Sequence, residues 1–219
     1  MKPCALFLHG RYIAKDIPFY TRICRGKFCV AVDGGYRFFR LSGIIPDLLI
    51  GDFDSLKRMP RNLSPRTAVE KFSPAKDKTD AHLALEYCLK RRAPKIDIVQ
   101  PSFGEPDQFM GNLMLLAIPL RGAKSGYNPE VRIVNPRYEA SLVSNTTFSL
   151  SGAKGVEVSV IPMSSRVTYS CRGTEYVVSN VALRQGDTRA LRNRVTAARA
   201  RFDIVGKAFV IRQYGFDRA

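Results

Sequence analysis

Histidine is nearly missing from this 219-residue chain, which has only His9 and His82, and acidic residues are outnumbered 19 to 35 by lysine and arginine. Two scattered histidines are too few for a zinc site, and they make a histidine-based triad a poor basis for catalysis. Cysteine is scarce too. Cys4, Cys24, Cys29, Cys88 and Cys171 form an odd set without a C-x-x-C pair, so the spacing writes no disulfide framework. Several of them sit in apolar runs, as small buried hydrophobes do, and a reduced cytoplasmic setting is expected. Long apolar runs are also lacking, since LMLLAIPL at 113–120 falls well short of the ~20 residues that span a membrane. The opening MKPCALFLHGRYI has no small-residue cleavage site, and Arg11 and Lys15 follow at once. It reads as a first strand and not a signal peptide. No internal repeat or low-complexity segment is visible.

What is present begins with charge. The net +16 admits a nucleic-acid binder as one class. The basic residues are spread out, however, with the densest stretches at 57–66, 90–95 and 184–201. In ALRNRVTAARARF the arginines alternate with Ala and Val and not with stacking aromatics, which weakens that reading. Attraction of anionic nucleotides, or a host lineage rich in Arg, accounts for the charge better. With 45% hydrophobic and 25% charged residues the chain has the composition of an ordinary globular protein with a sizeable core.

Up to about residue 120 strand and helix patterns alternate. CALFLHG, KFCVAVDGG, DLLIGDFDS, TAVEKFS and KIDIVQPS read as strands. GYRFFRLSG, DAHLALEYCLKRR and PDQFMGNLMLLAIPL read as helices. In the middle helix Leu83, Ala84, Tyr87 and Cys88 share one face, and Glu86 and Lys90 form an i,i+4 pair on the other. After about residue 128 the texture becomes short β-branched runs separated by Gly, Asn, Pro and Ser, beginning with VRIVN and ending with AFVIRQ. ALRNRVTAARA at 190–200 is ambiguous between helix and loop-plus-strand. The expected fold is an α/β N-terminal domain with a mostly parallel sheet (1–125), then an all-β sandwich (126–219), joined near SGYNP at 125–129.

The densest chemical signal lies between Val32 and Ser55, in VDGGYRFFRLSGIIPDLLIGDFDS, where Asp33, Asp52 and Asp54 stand at the ends of apolar runs. Open parallel sheets bind ligands beyond the carboxyl ends of their strands. Carboxylates gathered there repel one another unless a cation compensates them. The economical cation is Mg²⁺, which takes one or two carboxylates together with substrate phosphate oxygens. In Asp52-Phe53-Asp54 an extended backbone would point both carboxylates one way and Phe53 toward the core. Lys76-Asp77-Lys78-Thr79-Asp80 precedes the clearest helix, where Asp77 or Thr79 can cap and exposed amides can hold a phosphate. Each piece alone is ordinary, a turn or a helix-end charge. Their conjunction at one edge of one sheet points to a Mg²⁺–nucleotide site.

The same residues resemble the thiamine pyrophosphokinase family. The resemblance is carried by DGG at 33–35, GIIPDLLIGDFDS at 43–55 and DKTDAHLAL at 77–85. It extends to FGEPDQFMGN at 103–112, where Gly104, Asp107, Gly111 and Asn112 match a G-G-R-x-D-H-x-x-x-N segment. The resemblance implies transfer of a pyrophosphoryl group from ATP to the hydroxyl of thiamine, with release of AMP, by a homodimer whose active sites lie at the interface. It implies that Asp52, Asp54 and Asp80 hold Mg²⁺ and the triphosphate and form the catalytic set. Asp33, Gly34, Asp77, Thr79, Asp107, Asn112 and Asn193 would be further members of the binding site, with Lys76 and Lys78 as helpers.

The departures fall where the acceptor should bind. Arg37 stands where the family has Asn, Phe103-Gly104-Glu105 replaces G-G-R, Gln108 replaces His, and Arg192-Asn193-Arg194 stands for S-N-E. Glu105 and Arg194 have both changed sign and could form a reversed ion pair across a dimer. Another hydroxyl acceptor, such as a hydroxymethyl-pterin, or a non-catalytic thiamine- or nucleotide-binding role stays open on these residues. Phe148, Tyr169 and Tyr176 are candidate walls for a heteroaromatic ring.

Overall fold

The computed structural model describes residues 1–54, 56, 60, 63–75, 77–121 and 126–214. Ser55, Lys76 and Ser125, the first residue of the expected junction at 125–129, lie outside that set. Two compact units are present, Met1–Pro136 and Arg137–Arg218.

The first unit is built on six strands: β1 (Cys4–Phe7), β2 (Phe28–Val32), β3 (Leu48–Gly51), β4 (Ala68–Lys71), β5 (Lys95–Val99) and β6 (Glu130–Asn135). All five pairings among them are parallel, in the order β6-β5-β1-β2-β3-β4. The chain moves outward from β1 to β4, then crosses back to lay β5 on the other side of β1. That reversal opens a crevice at the carboxyl ends of β1 and β5. β1, β2, β3 and β5 are buried almost throughout, which is why they read as continuous apolar runs without alternation.

Helices α1 (Ile17–Cys24), α2 (Tyr36–Ser42), α3 (Asp80–Lys90), α4 (Pro106–Leu115) and α5 (Ile118–Arg121) complete the unit. α2 stops at Gly43, which takes the left-handed conformation at φ +71° that a side chain disfavours. α1 was not legible in the sequence. It has Pro18 in its first turn and buries only Tyr20 completely, so its periodicity is faint. On the same face of the sheet Phe7 stacks on Phe38 at 4.4 Å and meets Phe39 edge-on at 4.9 Å. On α3 the expected pairing of Glu86 with Lys90 gives way to a bond from Lys78 at 2.7 Å and a contact with His82 at 3.4 Å.

VRIVN, read above as the first strand of the β half, is β6. It pairs in parallel with β5 and so belongs to the α/β unit, which moves the edge of that unit from 125 to 136. Its β-branched texture is shared by buried parallel strands and sandwich strands alike, so composition could not assign it.

The second unit is antiparallel throughout: β7 (Tyr138–Ser151), β8 (Glu157–Pro162), β9 (Val167–Arg172), β10 (Val178–Leu183), β11 (Asn193–Arg194) and β12 (Arg199–Gln213). β7 and β12 form one long ribbon, broken in register between Ile204 and Lys207. At the break Gly206 holds φ +105°, and a Cβ there would lie 2.8 Å from the Arg166 carbonyl oxygen. Before the break β12 also pairs with β9, which pairs with β10; after it β12 pairs with β8, which pairs with β11. One ribbon thereby serves two lobes that close over Val158, Val160, Tyr169, Phe202 and Ile204 as a β-sandwich-like core. The ambiguous segment at 190–200 is a loop with the two-residue β11, not a helix.

Candidate functional site

β2 ends at Val32 and runs into a single 3-10 turn at Asp33–Gly35. Asp33 is buried at 5% exposure and holds φ +45°, an uncommon conformation for a residue with a side chain. The turn passes so close to β1 that a Cβ on Gly35 would stand 1.8 Å from the Phe7 carbonyl oxygen. Glycine is required there by contact, not by φ.

β3 ends one strand away, at Gly51. Asp52-Phe53-Asp54 does not continue it as an extended strand, contrary to the alternation argument above. Phe53 holds φ +69°, and the Asp54 backbone N–H donates to Asp52 Oδ1 at 3.2 Å. This side-chain turn folds the two carboxylates together while Phe53 is buried at 6% exposure in the aromatic core. The expected result stands, and a turn produces it.

Carboxylate oxygens of Asp33, Asp52 and Asp54 all lie within 4.8 Å of one another. Asp33 Oδ1 is buried and has no hydrogen-bond partner among the described residues. His9, at the carboxyl end of β1, places Nδ1 4.0 Å from Asp33 Oδ2. Three carboxylates, one with a buried oxygen awaiting a donor or cation, form a hard oxygen donor set that fits Mg²⁺. The grouping differs from the expected metal set. Asp33 joins Asp52 and Asp54, and Asp80, which opens α3 from a separate segment, is not among the three.

The remaining expected residues fall as follows. Thr79 is the N-cap of α3 and accepts the His82 N–H at 3.2 Å; Asp77 is exposed beside it. Lys76 lies outside the described residues. Glu105 occupies the N-cap position of α4 with no side-chain cap bond, and Asp107 accepts the Gln108 N–H at 2.8 Å. Asn112 is buried on α4, and Arg37 is exposed on α2. In the second unit Asn193 is buried. Its Oδ1 accepts the Tyr176 N–H at 3.0 Å and its Nδ2 donates to the Tyr176 carbonyl at 2.7 Å, so its amide pins a loop. Arg194 reaches Glu157 of its own unit at 3.5 Å. Tyr169 and Phe148 belong to the core of the unit, and Tyr176 is exposed.

Sequence reasoning missed two residues at the crevice. His9 follows β1, and Gln100 follows β5. Gln100 is 6% exposed, and its Nε2 has no hydrogen-bond partner among the described residues. Their one available signal was position just past a strand, which is legible only once the strands are placed.

Two units of this kind, with the polar cluster on the strand ends of the first, define the class as an α/β unit followed by a β-sandwich-like unit. A family model for the thiamin pyrophosphokinase catalytic domain matches residues 22–125, a span that includes Asp33, Asp52, Asp54 and Asp80. The thiamine pyrophosphokinase of Bacillus subtilis is 28% identical over 182 residues, covering 79% of this chain and 80% of its own. The crystal structure of a Bacillus subtilis thiamine pyrophosphokinase superposes with a TM-score of 0.78 at 24% identity, covering 97% of this chain and 98% of the other. That of Geobacillus thermodenitrificans thiamin pyrophosphokinase gives 0.77 at 24% identity over the whole of both chains. Residues 22–125 are thus similar to the thiamin pyrophosphokinase catalytic domain, and the chain shares the fold of the solved thiamin pyrophosphokinases.

Proposed function

We propose that this protein transfers the terminal pyrophosphoryl group of ATP to the hydroxyl of thiamine. The acceptor oxygen bonds to the β-phosphorus, the bond from that phosphorus to the α-phosphate bridging oxygen breaks, and AMP leaves. The hydroxyl proton is lost in the same exchange. The observation that carries this reading is the cluster of Asp33, Asp52 and Asp54 inside the span matched by the catalytic-domain model.

Asp33, Asp52 and Asp54 would hold Mg²⁺, which when bound neutralises charge on the phosphate oxygens. The strand ends supply rigidity. Asp33 is fixed by a turn packed on β1, and Asp54 by the Asp52 side chain. Phosphoryl-type transfer is catalysed mainly by positioning and charge neutralisation, so a preformed carboxylate frame is the main requirement. Asp80 and Thr79 open α3 with backbone amides suited to a phosphate oxygen. The α/β unit would thus carry nucleotide and metal, and the β unit would carry the acceptor. The reading includes a homodimer, in keeping with the exposed apolar Tyr176 and Val177 on the β unit, each 66% exposed.

The test is AMP formation from ATP and Mg²⁺ with thiamine, and separately with a hydroxymethyl-pterin. AMP with thiamine alone supports the reading. AMP with the pterin alone would reassign the acceptor and leave the metal–nucleotide half standing. AMP with neither would refute the enzyme reading.

A further inference from the structure

The second unit holds a cavity of about 550 Å³. Its floor is a single row across four strands. Arg194 of β11 lies opposite Glu157 of β8, Glu157 lies opposite Gln213 of β12, and Gln213 lies opposite Tyr138 of β7. Directly opposed residues of an antiparallel sheet share a face, so all four side chains rise on one side. Arg192, Arg137 and Tyr214 complete the wall. The Tyr214 N–H donates to the Arg137 carbonyl at 2.7 Å, tying those two together at one rim.

The charges are arranged and not scattered. Glu157, with its side chain 16% exposed, takes Arg192 Nε on one oxygen at 2.7 Å and Arg194 Nη2 on the other at 3.5 Å. Each contact uses one guanidinium nitrogen of the several that arginine carries. Arg192 reaches this position through a left-handed backbone, φ +55°, a conformation disfavoured for a residue with a side chain. Its N–H is held by Ser159 Oγ at 2.9 Å. Three arginines and one glutamate leave the wall at net +2. A cationic ring such as thiazolium is repelled there. Two tyrosine rings add flat apolar surface, and burial pushes the Tyr138 hydroxyl up to about 12, so it stays a neutral donor. The volume falls within the range of small-molecule sites.

We propose that this cavity binds a small anion bearing a diphosphate group, gripped by the guanidinium groups of Arg137, Arg192 and Arg194, with Glu157 acting as the brace that orients two of them. Arginine forks match phosphate oxygens in geometry as well as charge. The chemistry is common to a nucleoside diphosphate and to the diphosphate ester of a small alcohol. Its lining residues all belong to the second unit, and its occupancy does not depend on turnover.

The experiment is calorimetric titration of the full chain with inorganic diphosphate in metal-free buffer containing EDTA. The expected result is saturable binding that weakens with salt and loses at least about tenfold in affinity in Arg192→Gln/Arg194→Gln, through loss of charge-assisted bonds. Arg137→Gln, which leaves both arginine–Glu157 contacts in place, weakens binding as well, so the proposal stays testable if the double variant does not fold. Asp52→Asn/Asp54→Asn binds as the unaltered chain does. Competition by ADP alone identifies the nucleotide as source, competition by thiamine diphosphate alone identifies the ester, and either supports the site. Absence of saturable binding, loss in the aspartate variant with retention in the arginine variant, or displacement by free thiamine would overturn it. Because no step requires catalysis, failure here leaves the proposed reaction untouched, and failure of that reaction leaves this site untouched.

Discussion

Gly51 and Asp33 are pressed together: a Cβ on Gly51 would lie 3.0 Å from the Asp33 Cβ, and Gly51 itself holds φ +150°. The closeness of these two residues lets the ends of β2 and β3 bring three carboxylates to one point. A side chain at 51 would both strain the backbone and push Asp33 aside. Gly51→Ala is therefore expected to lower stability by about 1–3 kcal/mol, which is several degrees in Tm for a protein of this size. It should also raise the Mg²⁺ concentration needed for half-maximal rate. Thermal denaturation and a Mg²⁺ titration check both; an unchanged Mg²⁺ requirement would show that Asp33 has slack.

The composition of the cluster makes a second prediction. Asp33→Asn, Asp52→Asn and Asp54→Asn should each reduce AMP formation at least about 100-fold at fixed Mg²⁺, because each removes charge facing the phosphate–metal unit. Asp80→Asn should shift the Mg²⁺ requirement less than Asp33→Asn does. Steady-state rates over a range of Mg²⁺ concentrations decide the order, and a larger shift for Asp80 would place it in the metal set, as expected from the sequence.

Asp97 in β5 is completely buried between two cations, with Lys27 and Arg132 both bonded to it, Arg132 Nε at 2.7 Å. Burial alone would push its carboxyl up, but the hydrogen bonds from Arg132 and Lys27 prevail and hold it below the usual carboxylate range. A depressed folded-state value means its stabilisation is present above the unfolded value of about 3.9 and is lost as pH falls through the lower folded value. Asp97→Ala should cost about 3 kcal/mol at neutral pH by taking this partner from Lys27 and Arg132, both only partly buried. Urea denaturation between pH 2 and 7 should show a shallower acid-side loss in Asp97→Asn than in the unaltered chain.

Asn193 separates a structural role from a binding role. Its amide closes both polar groups of the Tyr176 backbone, so Asn193→Ala should lower stability by about 1–3 kcal/mol with the KM for ATP unchanged. A raised KM at unchanged Tm would place the residue at the ligand instead.

The parallel sheet was legible because buried parallel strands announce themselves as unbroken apolar runs, and its aspartates stood at the ends of those runs. The α3 cap and the Gly43 stop were equally plain. β6 was misassigned because a β-branched hexamer carries no mark of which sheet it joins. α1 was missed because a helix that hides one tyrosine has little periodicity to read. In the site, Asp52 and Asp54 were paired for a reason the structure replaces, a side-chain turn in place of an extended pair. Asp33 was underrated because membership of the cluster depends on the approach of Gly51, a contact between strands that no linear spacing encodes. The arginine-lined cavity was invisible for the same reason, since its row joins positions 138, 157, 194 and 213.

The most direct test of the central claim is the stoichiometry of transfer from ATP labelled in its β-phosphate, with Mg²⁺ and thiamine. The expected result is one AMP for each thiamine diphosphate, with the label wholly in the product ester. ADP as the nucleotide product, or label left in a nucleotide, would contradict it.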